Sequence, residues 1–386
     1  MRLIAAVCFA ILGAAVSSGE GIGFRVRATN PTDAPRPMET VEVAAAALAG
    51  NVAAADLRRV VVTDGRTGRE LLSQAVDEDG NGTLDRLVFQ SDFAPGESRE
   101  FLLSRGEPRR PRLEDYRVYG RFVRERHDDF AWENDEVAFR IYGQALETFE
   151  KEPLTSSTVD AWSKRTRRLV LNDWYLVDDY HHDHGDGGDF YSAGRSRGCG
   201  GSGLVVDGAL AVSKNFRSSR VLAAGPIRLV FEVVYPEWEK PGLKATEVKR
   251  VTLDAGSHFN RFESFYTVEG EGPITWAAGI RLAKGVVPRV DRERGIVRTW
   301  EHQGQYGDNG WLGCGVVVDP AAIVDAKEEG GNQLVVTRTP KGRPVTWYAG
   351  SGWDGSGDFP DGAAWDRHLD AFTARLRSPL KVEVLR

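Results

Sequence analysis

The sequence predicts a mostly β protein. The expected architecture is a body of stacked antiparallel β-sheets preceded by a small β-sandwich-like module, with one helix near the C-terminus. Three observations carry this expectation. Short runs with period-two alternation or β-branched enrichment recur along the chain, each bounded by Gly, Pro, Asp or Asn. No strand–helix–strand alternation is visible, which argues against a doubly wound parallel sheet. Only the segment around Trp365 repeats apolar residues at clear helical spacing over several turns.

The chain begins with Arg2, an apolar run from Leu3 to Val16, and the small residues Ser17, Ser18 and Gly19. Residues 1–18 therefore read as a secretory signal peptide, too short to span a bilayer. A periplasmic or extracellular location is expected, and no second apolar segment approaches membrane-spanning length. The net charge of −6 over 386 residues argues against nucleic acid as a default partner. Arg109–Arg112 and Lys164–Arg168 are the visible basic clusters. Export would place Cys199 and Cys314 in an oxidising compartment, where a disulfide and two buried thiols both remain open readings.

Residues 22–105 read as the N-terminal module, with strands in FRVRAT, TVEVAA, RRVVVTD, RLVFQSDF and REFLLSR. Ala45–Ala55 suits a short helix or a loosely patterned strand. The segment from Asp77 to Asp85 carries Asp77, Asp79, Asn81 and Asp85 at alternate positions, like the first half of a calcium loop. Val88 stands where a bidentate glutamate belongs, so a tight acidic turn is the plainer reading and a divalent metal the sharper one. Ser104–Leu113 is a Pro- and Arg-rich crossing segment. Residues 114–386 form the strand-rich body. In it, Val159–Leu169 is expected as a short helix, and Asp361 caps a helix whose stripe is Trp365, Leu369, Phe372 and Leu376.

The chemistry concentrates in Asp178–Gly201, which holds three of the seven histidines and very little apolar surface. Such a stretch cannot build a core and is expected to be an ordered functional loop. His181 and His184 stand beside Asp183, Asp186 and Asp189, a set suited to proton transfer or to metal ligation. Tyr180 and Tyr191 are candidate phenolic groups or sugar-stacking walls. In Asn260–Tyr266, strand alternation puts Arg261 and Glu263 on one face, either gripping a ligand or forming an ordinary ion pair. Arg140 and Tyr142 share a strand face, and the glycine-rich run around Trp353 and Asp358 supplies another tryptophan and carboxylate. Trp162 completes the candidate sugar-contacting set.

Taken together, WEND, AFRIYG, VDAWSKR, DYHHDHGDGGDFY, GRSRGCGG, SHFNRFESFY, AAGIRLAKG and AGSGWDGSGDF resemble a secreted bacterial family, the domain-of-unknown-function family numbered 4861. The resemblance covers nearly the whole mature chain, and it places His181 at the family's DYH position. It implies a galactose-mutarotase-like supersandwich and a role with acidic glycans in polysaccharide degradation. No catalytic residues come with it.

The leading expectation is an exported enzyme acting on uronic-acid-containing oligosaccharides by elimination. Arg261 or Arg140 would neutralise the uronate, and a histidine or tyrosine of the loop would move the proton. The alternatives are an epimerase or mutarotase using His184 and Glu263, a hydrolase using Asp189 and Glu263, and a non-catalytic glycan-binding protein.

Overall fold

The computed structural model describes residues 23–150, 153–155 and 157–385. The proposed signal peptide lies outside them. Strands dominate, and every pairing between the named strands outside the N-terminal module and within it is antiparallel.

The module is a small sandwich. One sheet runs Lys381–Leu385, Phe24–Thr29, Ser98–Arg105, Val60–Asp64 and Glu70–Leu71 in spatial order; the facing sheet runs Arg36–Ala44, Arg86–Phe93 and Ser73–Val76. Alternating Val26, Val43, Val62, Phe89, Phe101 and Leu103 fill its core. The C-terminal strand thus leaves the body and completes the module's sheet, so residues 114–386 do not form the body alone.

The body is a three-sheet stack. Its largest sheet has eight strands, with Leu243–Asp254, Phe259–Val268, Val345–Trp353 and Trp311–Val317 at its centre. Two five-stranded sheets cover one face of it. One contains Cys199–Val206, Ile274–Arg281 and Asn332–Thr339; the other contains Val118–Val123, Asp129–Asn134, Ala138–Ile141 and Asp160–Lys164. The layers meet in one aromatic core, where Phe130 stacks on Phe231 at 4.1 Å and Trp276 packs on Trp347 at 5.5 Å. The Trp132 indole donates to Asn260 Oδ1 at 2.7 Å, which satisfies both buried polar groups. Cys199 and Cys314 are buried free thiols in this core, and Cys199 Sγ lies 3.1 Å from the Gly350 carbonyl.

The C-terminal helix, Gly362–Arg377, forms as its spacing predicts, and Asp361 accepts from the Ala364 amide at 2.7 Å as its cap. Its fully buried Trp365 and Leu369 press on the outer face of the eight-stranded sheet. Burying each contributes about 1.5–3 kcal/mol. Gly313 permits this approach, since a Cβ there would lie 2.5 Å from Trp365. The helix expected over Val159–Leu169 is instead a strand, Asp160–Lys164, followed by a helix at Leu171–Val177. Every residue of that strand is buried between sheet neighbours, and tertiary packing overrides the weak local pattern. Ala45–Leu48 is a single helical turn, followed by a 3₁₀ segment at Ala54–Arg59.

Candidate functional site

Arg140 lies at the heart of a closed ionic network. Its Nε reaches Asp160 at 2.8 Å, its Nη2 reaches Asp189 at 2.8 Å, and Asp129 stands 3.6 Å from Nη1. Tyr142 donates to Asp160 at 3.2 Å, and the guanidinium lies over the rings of Tyr142, Trp162 and Tyr180. Burial, reinforced by Asp189, pushes the Asp160 carboxyl up to about 7 against the pull of Arg140 and Tyr142. Arg140, Tyr142, Trp162 and Asp189 are all buried. They were expected at a ligand; they instead form the foundation beneath the histidine-rich loop.

The loop lies over this network. His181 Nδ1 contacts the Asp189 carbonyl at 2.8 Å, and its ring stacks on Tyr306 at 4.1 Å. His182 and His184 are exposed and share Asp179 at 2.6 and 3.2 Å. Arg165 pairs with Asp183 and lies over the Trp353 ring, while Arg168 holds Asp186 at 3.1 Å. Of the Lys164–Arg168 run, Lys164 too is engaged, by Glu133 at 2.7 Å. Three-residue groups able to hold a metal lie elsewhere among the described residues, so His181 and His184 do not make one. Tyr191 is buried in the aromatic core beside Cys314, and burial raises its phenol well above the ordinary value. It cannot be the accessible acid or base it was expected to be.

Arg261 occupies different ground. Asn260 and Phe262 point into the sandwich, so Arg261 and Glu263 project from the outer face of the eight-stranded sheet. Arg140 projects from the opposite, outer face of a smaller sheet, whose Phe139 and Ile141 enter the core. Two sheets therefore separate Arg140 and Asp189 from Arg261 and Glu263, and the sequence-predicted residues do not converge on one cleft.

Arg261 lines a cleft of about 610 Å³ between the module, the body and the C-terminal helix. Its Nη2 bonds Glu263 Oε1 at 2.8 Å, and its side chain is 40% exposed. Tyr348 is its direct neighbour on the next strand. Burial raises the Tyr348 phenol above its ordinary value, with Arg261 opposing, so it is protonated at neutral pH. Deeper in the cleft, Arg228 is held by Asp254 at 2.7 Å, by Glu42, and by Glu78 at 3.2 Å. On the helix side, burial and then Arg375 push His368 down to about 4, so its imidazole is neutral.

At the cleft's inner end sits His258, which also lines a second, much smaller cavity with Trp162, Lys164, Ser351, Trp353 and Ser356. Burial holds this imidazole well below its ordinary value. Glu136 Oε2 lies 3.7 Å from its Nε2, and Arg167 bridges Glu136 and Asp358. Trp353 is buried, donating its indole to the Asn309 carbonyl at 2.7 Å, whereas Asp358 is exposed. Four separated stretches thus meet around His258: those of Trp132–Glu136, Trp162–Arg168, Ser257–Asn260 and Trp353–Asp358. Sequence reasoning did not single out His258, Glu136 or Tyr348. The alternation of VTWYAGS, with Trp347 inward, was the available signal for Tyr348.

The acidic turn brings Asp77, Asp79 and Asp85 together, a group that could hold a metal. Those carboxylates already serve the turn itself: Asp77 accepts from the Gly80 and Gly82 amides at 2.7 and 2.8 Å, and Asp85 from Glu78 at 2.7 Å.

The chain belongs to the family described as Domain of unknown function (DUF4861), whose model matches residues 28–382. It is 32% identical over 370 residues to "Uncharacterized protein P7" of Formosa agariphila, covering 92% of each chain. Among solved structures it is similar to an α-mannosidase from Enterococcus faecalis V583 and to a glycosyl hydrolase family 38 protein from Enterococcus faecalis. Each likeness has a TM-score of 0.49 at 10% identity and covers 94% of this chain. The chain spans under half of those two structures, 46% and 47%. No helix among the described residues is long and apolar enough to cross a membrane.

Proposed function

We propose that this member of the family is an exported carbohydrate-active enzyme that cleaves a uronic-acid-containing oligosaccharide by elimination, in the cleft around Arg261. The observation that carries this reading is the placement of Arg261 directly across from Tyr348 on the sheet face that lines the cleft, with the buried Glu263 bonded to Arg261 behind them. The cleft volume falls within the roughly 300–1,000 Å³ of small-ligand sites.

Each group has a defined task. Among the described residues Arg261 bonds one carboxylate, and its side chain is 40% exposed, so it can neutralise a substrate carboxylate. Neutralisation lowers the barrier to removing the proton on the adjacent carbon. Glu263 accepts that proton, the new carbon–carbon double bond forms, and the carbon–oxygen bond on the next carbon breaks. Tyr348, held protonated, donates to the departing oxygen. The loop histidines are not needed in this scheme. The hydrolytic pair Asp189 and Glu263 is disfavoured because the sandwich core lies between its members, and His184 is likewise remote from Glu263.

The test is incubation of the purified protein with uronate oligosaccharides. Growth of enol-ether absorbance is expected, and Tyr348→Phe should abolish it while leaving the fold intact. New reducing ends without that absorbance would replace elimination with hydrolysis, and tight binding with no product would leave a glycan-binding protein.

A further inference from the structure

We infer that Glu136, His258 and Asp358 form a binding site for a divalent first-row cation of the zinc class at the inner end of the cleft. The inference goes beyond the elimination reading and holds whichever reaction the cleft runs. Each residue offers one ligand atom, and the three atoms lie within 4.8 Å of one another. Zinc bonds of about 2.0–2.2 Å need ligand atoms only somewhat closer than that, within reach of side-chain rotation. One imidazole nitrogen with two carboxylate oxygens suits zinc and leaves a fourth position toward the cleft.

Three further features mark these residues as more than an acidic cluster. His258 is 8% exposed, and its Nδ1 has no hydrogen-bond partner among the described residues. Its Nε2 faces Glu136 Oε2 at 3.7 Å, beyond hydrogen-bond reach. A buried ring nitrogen left without a hydrogen-bond partner is costly unless something else satisfies it. Next, a cation already spans the two carboxylates. Arg167 pairs with Glu136 and reaches both Asp358 oxygens at 2.9 and 3.0 Å, yet its side chain is 54% exposed. It can swing into water and give way to an ion.

Finally, the ligand-bearing turns are tied together. Asn134 Oδ1 accepts from the Glu136 and Val137 amides at 2.8 and 2.9 Å. Its Nδ2 donates to the Ser257 carbonyl at 2.7 Å. One buried asparagine therefore fixes the Glu136 turn against the His258 turn. By contrast, the carboxylates of Asp77, Asp79 and Asp85 are engaged by their own turn's amides.

Chelator-treated, tag-free full chain titrated with zinc chloride in a calorimeter provides the test. One zinc per chain is expected. His258→Ala and Glu136→Gln each remove a direct ligand and should each weaken binding by at least the roughly 10–100-fold that losing a group that merely orients a ligand costs. Thermal melts of these variants without zinc will show whether they fold. Arg167→Ala should bind zinc as tightly as the wild type or more so, a result that a purely structural salt bridge does not predict. Absence of stoichiometric zinc in the wild type would overturn the site. So would zinc binding that survives His258→Ala but is lost in His182→Ala or Asp77→Asn, since it would belong to the exposed loop or the acidic turn.

Discussion

Arg140 and Arg261 make an instructive pair. Both sit on central strands, both pair with carboxylates, and both have a tyrosine at hand. Arg140 is 6% exposed and is surrounded by Asp129, Asp160 and Asp189 under a cover of Trp162 and Tyr180. Among the described residues Arg261 bonds a single carboxylate, that of Glu263, and opens onto a cleft. A buried guanidinium already surrounded by negative charge has none left for a substrate. An exposed one with a single partner does. Residue type is the same in the two places; burial and the number of partners separate a structural arginine from a ligand-binding one.

The largest expected effect is structural. Arg140→Ala would remove the cation shared by the buried Asp129, Asp160 and Asp189 and should cost about 3–5 kcal/mol, read from denaturant unfolding. Arg261→Ala removes a half-exposed guanidinium from one buried carboxylate, Glu263, and should cost less stability than Arg140→Ala. Its effect should appear in turnover of uronate oligosaccharide, with a loss on the order of 100-fold, the scale for removing one electrostatic stabiliser. Equal stability losses in the two variants would erase the contrast.

A smaller effect concerns pH. Burial raises the Asp160 carboxyl to about 7 in the folded chain, above the roughly 3.9 of an unfolded aspartate. The folded state therefore binds this proton more tightly. Its contribution favours folding in acid and is lost progressively as pH rises through that window, by at most about 1.4 kcal/mol per pH unit. Asp160→Asn cannot titrate, so it should gain on the wild type between pH 4 and 7 in parallel thermal melts. Superimposable pH profiles would show that Asp160 carries no such linkage.

The smallest change is expected at the loop surface. His184 is exposed and meets Asp179 at 3.2 Å, so His184→Ala should alter stability by less than about 0.5 kcal/mol. Turnover should be unchanged, and a large loss would return the reaction to the histidine-rich loop.

Much of the fold was legible in the residues. Strand alternation located the module and body strands, and the spacing of Trp365, Leu369, Phe372 and Leu376 gave the C-terminal helix with its Asp361 cap. Alternation also put Arg261 and Glu263 on one face. It could not say that Val382 and Val384 return to pair with the first strand, since that contact spans the chain. Nor could it separate the outward face of Arg140 from that of Arg261, because each strand's pattern is silent about which sheet lies behind it.

The histidine-rich loop drew the reading because its composition is so unlike core. Composition gave a polar loop, and Asp178–Asp186 is largely exposed. Gly187–Tyr191 and Arg197–Gly201 are buried, however, and Phe190, Tyr191, Ala193 and Cys199 join the main core that the stretch was expected not to build. His258 was overlooked for the opposite reason: alone in its segment, it gains meaning only when Glu136, Arg167 and Asp358 arrive from other parts of the chain.

The sequence by itself determined the β class, the strand faces and the family, because side-chain periodicity and motif spacing are local properties. Only the tertiary structure decided which arginine is buried, which histidine is isolated, and where the cleft opens. Those outcomes depend on charge compensation and solvent access, which arise from residues brought together from distant parts of the chain.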